Sequence, residues 1–291
     1  DNSYQAEAGD NGVLSLENGV YRLREQDGTI MAFRTDGKLD FVRDANSNQV
    51  TAGYSLDKLT TLTYTNGDVI TFAYNNQGRI STVTDPFGQA TNYSYDATGE
   101  RLLSVSDVSG TVSYTYETEG AKANAIKSVT FSDGSQAFFE YDNLGRVTKQ
   151  SLNGGLETVT YAYDSAGAVT ITDAQGNISK LWQNAEGQTS RVEDALGRLT
   201  EFRYDATGNL TQIIAPEGNL SSLSYDSRGN VLSSIDPLGQ RIEFTYDSQY
   251  DQIQTVRDQR GNNIRYSYDA QGNLGQIIYA DGSKENFSYN S

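Results

Sequence analysis

Carboxylates are the side chains in this sequence that could carry hydrolytic chemistry. The chain of 291 residues has 38 Asp and Glu but neither His nor Cys. This composition excludes a Ser-His-Asp triad, a Cys-His pair and a zinc site built on His or Cys. Two carboxylates could still hydrolyse a glycosidic bond. Acidic turns could also bind calcium, although no stretch resembles an EF-hand or a nonapeptide calcium loop.

The positions of the aspartates favour a structural role over catalysis. They recur as the first residue of a four-residue segment that ends in Gly. An Asp carboxylate in this position accepts hydrogen bonds from backbone N–H groups two residues on, and the final Gly supplies a positive φ. We therefore predict no catalytic, metal or cofactor residues. The predicted turn residues are Asp96, Gly99, Asp205, Gly208, Asp226, Gly229, Asp236 and Gly239.

The turns belong to an internal repeat of about 21 residues. Each repeat contains a YD turn, a short strand, a midpoint turn and a second strand that ends in Tyr. All three prolines (Pro86, Pro216 and Pro237) stand second in a midpoint turn, where their fixed φ fits. The terminal Tyr slot, at intervals of 20 to 25 residues, is filled by Phe33, Tyr54, Tyr74, Tyr95, Tyr116, Tyr141, Tyr163, Gln183, Tyr204, Tyr225, Tyr246, Tyr268 and Tyr289.

The two strands of a unit differ in their hydrophobic pattern. In the second strand, Ile242, Phe244 and Tyr246 share one face, and polar residues take the other. In the first strand, apolar residues such as Leu210 and Ile213 fall on opposite parities. Either a β-bulge or burial on both faces would explain this pattern. We expect the aromatic face to be turned inward or sandwiched.

One degenerate repeat breaks the pattern. Gln183 occupies the Tyr slot, and the single tryptophan, Trp182, precedes it. Strand alternation places Trp182 on the face opposite the Tyr row. Its indole could fill a gap in the packing, or it could contact a glycan, a cargo segment or a neighbouring domain.

These patterns predict an all-β fold, in which antiparallel β-hairpins form a spiralling, partly or fully closed β-shell. Residues 1–32 are less regular and are expected to form an irregular β cap. Residues 33–291 are expected to form one continuous domain of about twelve units. Since the chain does not begin with Met and ends at a repeat slot, we expect it to be a piece of a longer protein.

Charge and hydropathy narrow the partners. The net charge of −16 disfavours DNA, RNA and anionic membrane surfaces. No apolar run reaches the ~18–20 residues of a membrane-spanning helix, so membrane insertion is not expected. The acidic surface would keep an extended sheet soluble and oppose edge-to-edge association.

The segments YDATGNL, YDSRGNVLSSIDPLGQ, YDNLGRV and YDAQGNL resemble the YD repeat of the Rhs family. VYRLREQDGTIMAFRTDGKL resembles the segment that introduces such arrays. The family includes Rhs toxins, the cocoon of Tc toxins and the teneurins. The resemblance implies a β-shell, which in the bacterial members encloses a toxin segment released by self-cleavage. The core motif for that cleavage is absent after Tyr289, so cleavage is not carried over to this chain.

The sequence thus leads to two hypotheses. In the first, this is a non-catalytic shell segment of a secreted or cell-surface protein, which the resemblance implies is bacterial, and it encapsulates or scaffolds a C-terminal effector. Its partners would be a toxin or effector segment of the same polypeptide, or neighbouring shell domains. In the second, it is an extracellular adhesion or carbohydrate-binding module with glycan ligands. A carbohydrate-active enzyme ranks third.

Overall fold

The computed structural model describes residues 12–289. Over this range it contains 27 strands assigned to one antiparallel sheet, two single-turn 3-10 segments and no α-helix. The predicted all-β repeat of hairpins is confirmed. The sheet is not closed by strand pairing: in the described residues β1 (Val13–Glu17) pairs with β2 (Val20–Arg24), and β27 (Lys284–Asn286) pairs with β26 (Leu274–Ile278). The predicted cap lies partly outside the described residues, and its remainder forms β1, β2 and the start of β3.

The described residues fall into two compact units. Unit 1 comprises 12–52, 64–66 and 200–289, and unit 2 comprises 53–63 and 67–199. Besides β1, β2, β26 and β27, the strands that lie within unit 1 are β3 (Ile30–Phe33), β4 (Leu39–Arg43), β20 (Leu210–Ile214), β21 (Leu220–Tyr225), β22 (Val231–Ile235), β23 (Arg241–Tyr246), β24 (Ile253–Arg257) and β25 (Asn263–Tyr268). Its 3-10 segment is Pro216–Gly218.

Unit 2 is built in the same way. Its strands are β7 (Val69–Tyr74), β8 (Ile80–Thr84), β9 (Ala90–Tyr95), β10 (Leu102–Asp107), β11 (Gly110–Tyr116), β12 (Ile126–Thr130), β13 (Gln136–Tyr141), β14 (Val147–Leu152), β15 (Leu156–Tyr163), β16 (Ala168–Thr172), β17 (Ile178–Gln183) and β18 (Thr189–Glu193). Its 3-10 segment is Gly120–Lys122. The remaining strands, β5 (Gln49–Ser55), β6 (Lys58–Tyr64) and β19 (Leu199–Tyr204), contain residues of both units.

Within each unit, a strand pairs antiparallel with the strands next to it in sequence. Consecutive turns therefore lie alternately at opposite ends of the strands. The YD turns, which follow a Tyr slot, form a row along one side of the sheet. The midpoint turns form a row along the other side.

A β-bulge at the Tyr slot explains the irregular pattern of the first strand. Tyr204 pairs with Leu210, whereas the preceding Arg203 pairs with Gln212, so one extra residue, Thr211, stands in β20. The bulge places Leu210 opposite Tyr204 and Ile213 opposite Phe202. The same register shift occurs at Tyr74, Tyr116, Tyr141, Gln183, Tyr225, Tyr246 and Tyr268. Of the two explanations left open by the sequence, the bulge is the one found.

The sheet has almost no fully buried core. Among the described residues, none of the large side chains is fully buried. The aromatic and aliphatic strand residues are mostly half-buried, since one layer of sheet cannot cover its own face. The buried residues among those described are all small: Gly28, Ala32, Ala52, Gly99, Ala137, Ser151, Ala168 and Ser233.

Candidate functional site: aspartate turns and the tyrosine ladder

The Asp205 turn shows how the predicted turn residues act. Oδ1 of Asp205 accepts hydrogen bonds from the N–H groups of Thr207 and Asn209, both at 2.9 Å. The Gly208 N–H donates to the Asp205 carbonyl at 3.1 Å, and Gly208 has φ +87°. The hydroxyl of Thr207 also donates to Oδ1, and together with the N–H and amide donors it lowers the pKa of Asp205 to about 2. This carboxylate is held ionised as a turn acceptor.

The Asp226 and Asp236 turns have the same geometry, and the Asp96 turn differs in that the Asp96 N–H donates to the Arg101 carbonyl, one residue further along. Asp226 accepts from the Arg228 N–H, and Asp236 accepts from the Leu238 N–H, each at 2.9 Å. Asp96 accepts from the Thr98 hydroxyl at 2.9 Å and from the Glu100 N–H at 3.0 Å. The glycines that end these turns all have positive φ: Gly99 (+75°), Gly229 (+82°) and Gly239 (+76°). In each of these four turns the aspartate is the first residue, and its side-chain oxygen accepts hydrogen bonds from backbone N–H groups of the same turn.

Tyrosine hydroxyls form a second regular network, which the sequence reasoning missed. In unit 1, Tyr225 Oη donates to the Leu210 carbonyl at 2.8 Å, and Tyr246 Oη donates to the Val231 carbonyl at 2.8 Å. The further members of this tyrosine ladder are Tyr74 to Leu59, Tyr116 to Leu102, Tyr141 to Ile126, Tyr163 to Val147 and Tyr268 to Ile253. The signal in the sequence was that Tyr, far more often than Phe, fills the slot.

The tyrosine ladder lies in a less polar environment than the turns. Burial raises the pKa of Tyr225 and of Tyr246 above the ordinary value of 10.0, and the nearby carboxylates of Asp205 and Asp226 add to the shift. Both phenols therefore stay protonated and keep donating at physiological pH. Their chemistry is that of hydrogen-bond donors.

Neighbouring YD turns are also joined to each other. Arg79 Nε donates to the Gly99 carbonyl at 2.6 Å, and Gln77 Nε2 donates to the Ala97 carbonyl at 2.6 Å. In unit 1, Gln252 Nε2 donates to the Gly272 carbonyl at 2.7 Å. Each of these contacts joins residues 20 positions apart, so it reaches the next YD turn on the same side of the sheet. These side-chain hydrogen bonds supplement the backbone bonds between strands and stiffen the row of YD turns.

Trp182 packs against residues of the two flanking strands. It pairs in register with Ala168 on β16 and with Arg191 on β18. The Arg191 guanidinium lies 3.8 Å from the centroid of the indole ring, a cation–π stack. Ala168 is 2% exposed, and Trp182 itself is half-buried. Its neighbour Leu181 pairs with Val169 and Val192 on the other face.

The structure contains open clefts between neighbouring hairpins. One in unit 1 has a volume of about 540 Å³ and is lined by Tyr246, Tyr266, Tyr268, Gln254 and Asp269, among others. Aromatic rings beside amide and carboxylate groups are a combination that suits a polar organic ligand. No group of three or more Asp and Glu in residues 12–289 is arranged to hold a metal ion. Over the same range no helix is both long enough and apolar enough to cross a membrane.

Comparisons with known proteins agree with the repeat. A sequence model of the teneurin YD-shell family matches residues 139–291, and a model of the RHS repeat matches residues 54–90 and 74–112. No curated protein sequence matches the chain.

Among solved structures, the crystal structure of TcdB2-TccC3-Cdc42 is similar with a TM-score of 0.50 and 12% identity. The similarity covers 92% of this chain and 17% of that one. The crystal structure of TcdB2-TccC3 and the structure of the Photorhabdus luminescens Tc holotoxin pore each give a TM-score of 0.49, with the same identity and coverage. The chain thus spans about a sixth of the length of these proteins, and the likeness concerns the fold. Because the family model covers more than half of the chain, this protein belongs to the teneurin YD-shell family.

Proposed function

We propose that this chain is a non-catalytic wall segment of a secreted or cell-surface protein, bacterial in origin. In this proposal the wall encloses or scaffolds an effector segment of the same polypeptide, or joins neighbouring shell domains. Residues 33–291 act as one continuous run of YD repeats, and residues 1–32 cap its beginning. The chain supplies shape and coverage, and the effector supplies the activity.

The half-exposed aromatic face carries this proposal. None of the large side chains in the described residues is fully buried, although the Tyr face of each strand is rich in aromatic and aliphatic groups. Removing such a face from water is favourable by about 25 cal/mol per Å². A second layer against the face would therefore be stabilising, and an enclosed segment is such a layer.

Membership of a YD-shell family supports a structural role, as do the turn aspartates. Their carboxylates accept backbone N–H groups, as at Asp205 and Asp236, which accounts for their recurrence without catalysis. The TcdB2-TccC3-Cdc42 structure supplies an analogy for an effector partner, since it pairs TcdB2 with TccC3. That analogy rests on the fold.

Limited proteolysis of the longer polypeptide that contains this segment tests enclosure. The effector segment should resist cleavage in the intact protein and be cleaved rapidly when produced alone. Val83→Lys places a charge on the aromatic face of β8 and should expose the segment. Thr82→Lys, on the opposite face of the same strand, is the matched control. Equal cleavage of the enclosed and isolated effector would show that the wall does not enclose it.

The aromatic cleft favours a second candidate, an adhesion or carbohydrate-binding module. Tyr246, Tyr266 and Tyr268 line the cleft beside Gln254 and Asp269, which could stack on and hydrogen-bond to a sugar. Trp182 is proposed as a further contact for a glycan or partner. A glycan array should show saturable binding. Trp182→Ala should weaken it while circular dichroism shows the chain still folded, and an array without hits would remove this candidate.

A further inference from the structure

Within unit 1, turns near the start of the chain contact turns near its end. Gln26 Nε2 donates to the Arg228 carbonyl at 3.4 Å, across 202 residues. Asn46 and Asn273 exchange two side-chain amide hydrogen bonds of 3.0 and 2.7 Å, across 227 residues. We call this set of contacts the seam. It joins midpoint turns on one side to YD turns on the other.

One YD turn of the seam departs from the repeat. In the Asp205 turn the fourth residue is Gly208, but in the Asp247 turn it is Tyr250. The positive φ passes to the next residue, Asp251 (+52°), and the closing hydrogen bond runs from the Asp247 N–H to the Gln252 carbonyl. The Asp247 turn is thus one residue longer than the Asp205 turn. The change puts a large ring where the repeat normally has no side chain.

The Tyr250 ring lies between two glycines. A side chain at Gly28, across the seam, would collide with the ring, and a Cβ at Gly272 would lie 2.9 Å from its Cδ2 atom. Tyr250 Oη donates to the Ala270 carbonyl at 3.0 Å. The ring therefore contacts three turns at once: its own, the next YD turn and the Glu25–Gly28 midpoint turn. Both glycines are needed for it to fit.

A partly buried ion pair joins the Asp247 turn, which carries the ring, to the Asp226 turn. Arg228 Nη2 lies 2.6 Å from Asp251 Oδ2, and the Asp251 side chain is only 6% exposed. Since a buried carboxylate is unfavourable without its cation, this pair holds Asp251, and hence the Tyr250 turn, in place. The same Arg228 supplies the carbonyl that Gln26 binds.

We propose that Tyr250 is a register key, a positioning residue that determines which midpoint turn meets which YD turn along the seam. The neighbouring midpoint turn shows why. There Ser47 occupies the place of Gly28, with the corresponding bond from its N–H to the Asp44 carbonyl and a positive φ of +69°. If the midpoint turns were displaced by one hairpin along the YD turns, so that the Asp44–Ser47 turn took the place of the Glu25–Gly28 turn, the Tyr250 ring would meet the Cβ of Ser47. In the native register the ring meets Gly28 instead.

Cross-linking reads the register directly, because the chain has no cysteine of its own. Asn46→Cys with Asn273→Cys reports the native register. Gln26→Cys with Thr207→Cys reports the register shifted by one hairpin, because the shift that brings the Asp44–Ser47 turn to Tyr250 also moves Gln26 from Arg228 to the corresponding residue of the Asp205 turn. A short bifunctional maleimide should link the first pair and not the second. In the Tyr250→Ala background, the ratio of native to shifted yield should fall by about two- to tenfold, the change expected for one packed aromatic side chain. The shifted yield should rise.

Two further variants keep the test decisive. Tyr161→Ala removes a half-buried tyrosine of unit 2 and should leave both yields unchanged. Ser47→Gly removes the obstructing Cβ while Tyr250 is intact, and it should raise the shifted yield alone. It also covers the case in which Tyr250→Ala does not fold. If both yields are the same with and without Tyr250, or if Ser47→Gly does not raise the shifted yield, the register key is wrong. The outcome is independent of what the wall encloses.

Discussion

The phenol of Tyr225 donates a 2.8 Å hydrogen bond to the carbonyl oxygen of Leu210, fifteen residues earlier in the chain. Leu210 is the residue paired with Tyr204, the slot tyrosine of the preceding repeat, and the bulge lies immediately beyond it. Each such bond therefore ties the end of a repeat to the bulge in the first strand of the same repeat, beside the slot tyrosine of the repeat before. The slot tyrosine thus contributes an apolar ring to the sheet face and a donor to an irregular point of the strand ladder.

Removing this hydroxyl should weaken the sheet without emptying its apolar face. We expect Tyr225→Phe to lower the free energy of unfolding by about 1 kcal/mol, the net value of one hydrogen bond. Urea unfolding followed by circular dichroism measures it, with an unchanged m-value. Tyr95→Phe is the matched control, since Tyr95 fills the same slot without a hydroxyl hydrogen bond among the described residues. Equal losses in both variants would show that the hydroxyl contributes nothing specific.

The tyrosine ladder predicts alkaline sensitivity. Burial raises the pKa of Tyr225, Tyr246 and Tyr268 above 10.0, so above that pH the native state binds more protons than the unfolded state. Their stabilising contribution is complete below pH 10 and is lost as the pH rises through the native pKa values. Melting temperatures should fall above pH 10, together with the appearance of tyrosinate absorbance. A melting temperature that stays flat while tyrosinate forms would contradict this assignment.

The aspartate turns predict the opposite dependence in acid. The pKa of Asp205 is lowered from 3.8 to about 2, so the unfolded state binds more protons between these values. The stabilisation is present above pH 3.8 and is lost as the pH falls towards 2. Asp205→Asn keeps an acceptor oxygen and removes the titration. Its melting temperature should therefore depend less on pH over this range than that of the parent chain; identical slopes would show that Asp205 is not a contributor.

The turns could be predicted from sequence because their cause is local. Asp205 and Gly208 stand within one turn, and the carboxylate reaches its donors without help from distant residues. The bulge could not be predicted, because the positions of Leu210 and Ile213 fit burial on both faces equally well. Only the pairing of Tyr204 with Leu210 distinguishes the two.

Contacts between distant turns leave no periodic pattern in the sequence, so they could not be predicted from it. Asn46 and Asn273 are each ordinary turn residues, and their pairing depends on how unit 1 brings the two turns together. Trp182 was an evident anomaly in the Tyr-slot pattern, but its stacking partner Arg191 lies on the next strand and depends on register. The sequence predicted function only to the extent that the repeat itself implies one, since the polar groups of the repeat mainly form hydrogen bonds within the fold.

Residues 117–125, between β11 and β12, form an insert that lengthens one repeat interval to 25 residues, and two turn glycines of unit 2 test how it packs. Gly134 and Gly145 both have positive φ, +83° and +80°, so alanine should strain either backbone by about 1–2 kcal/mol. A Cβ at Gly134 would meet nothing within 4 Å, whereas one at Gly145 would lie 2.7 Å from the Ala121 carbonyl oxygen in the 3-10 segment. Gly145→Ala must therefore also displace the insert, and its free energy of unfolding should fall by about 1–3 kcal/mol more than that of Gly134→Ala in urea unfolding.

Amide exchange at Ala123 and Ala125 should quicken in Gly145→Ala alone, because their N–H groups are bonded within this segment. Equal destabilisation by the two alanines, with no change in exchange, would mean that the insert does not pack against the Asp142–Gly145 turn.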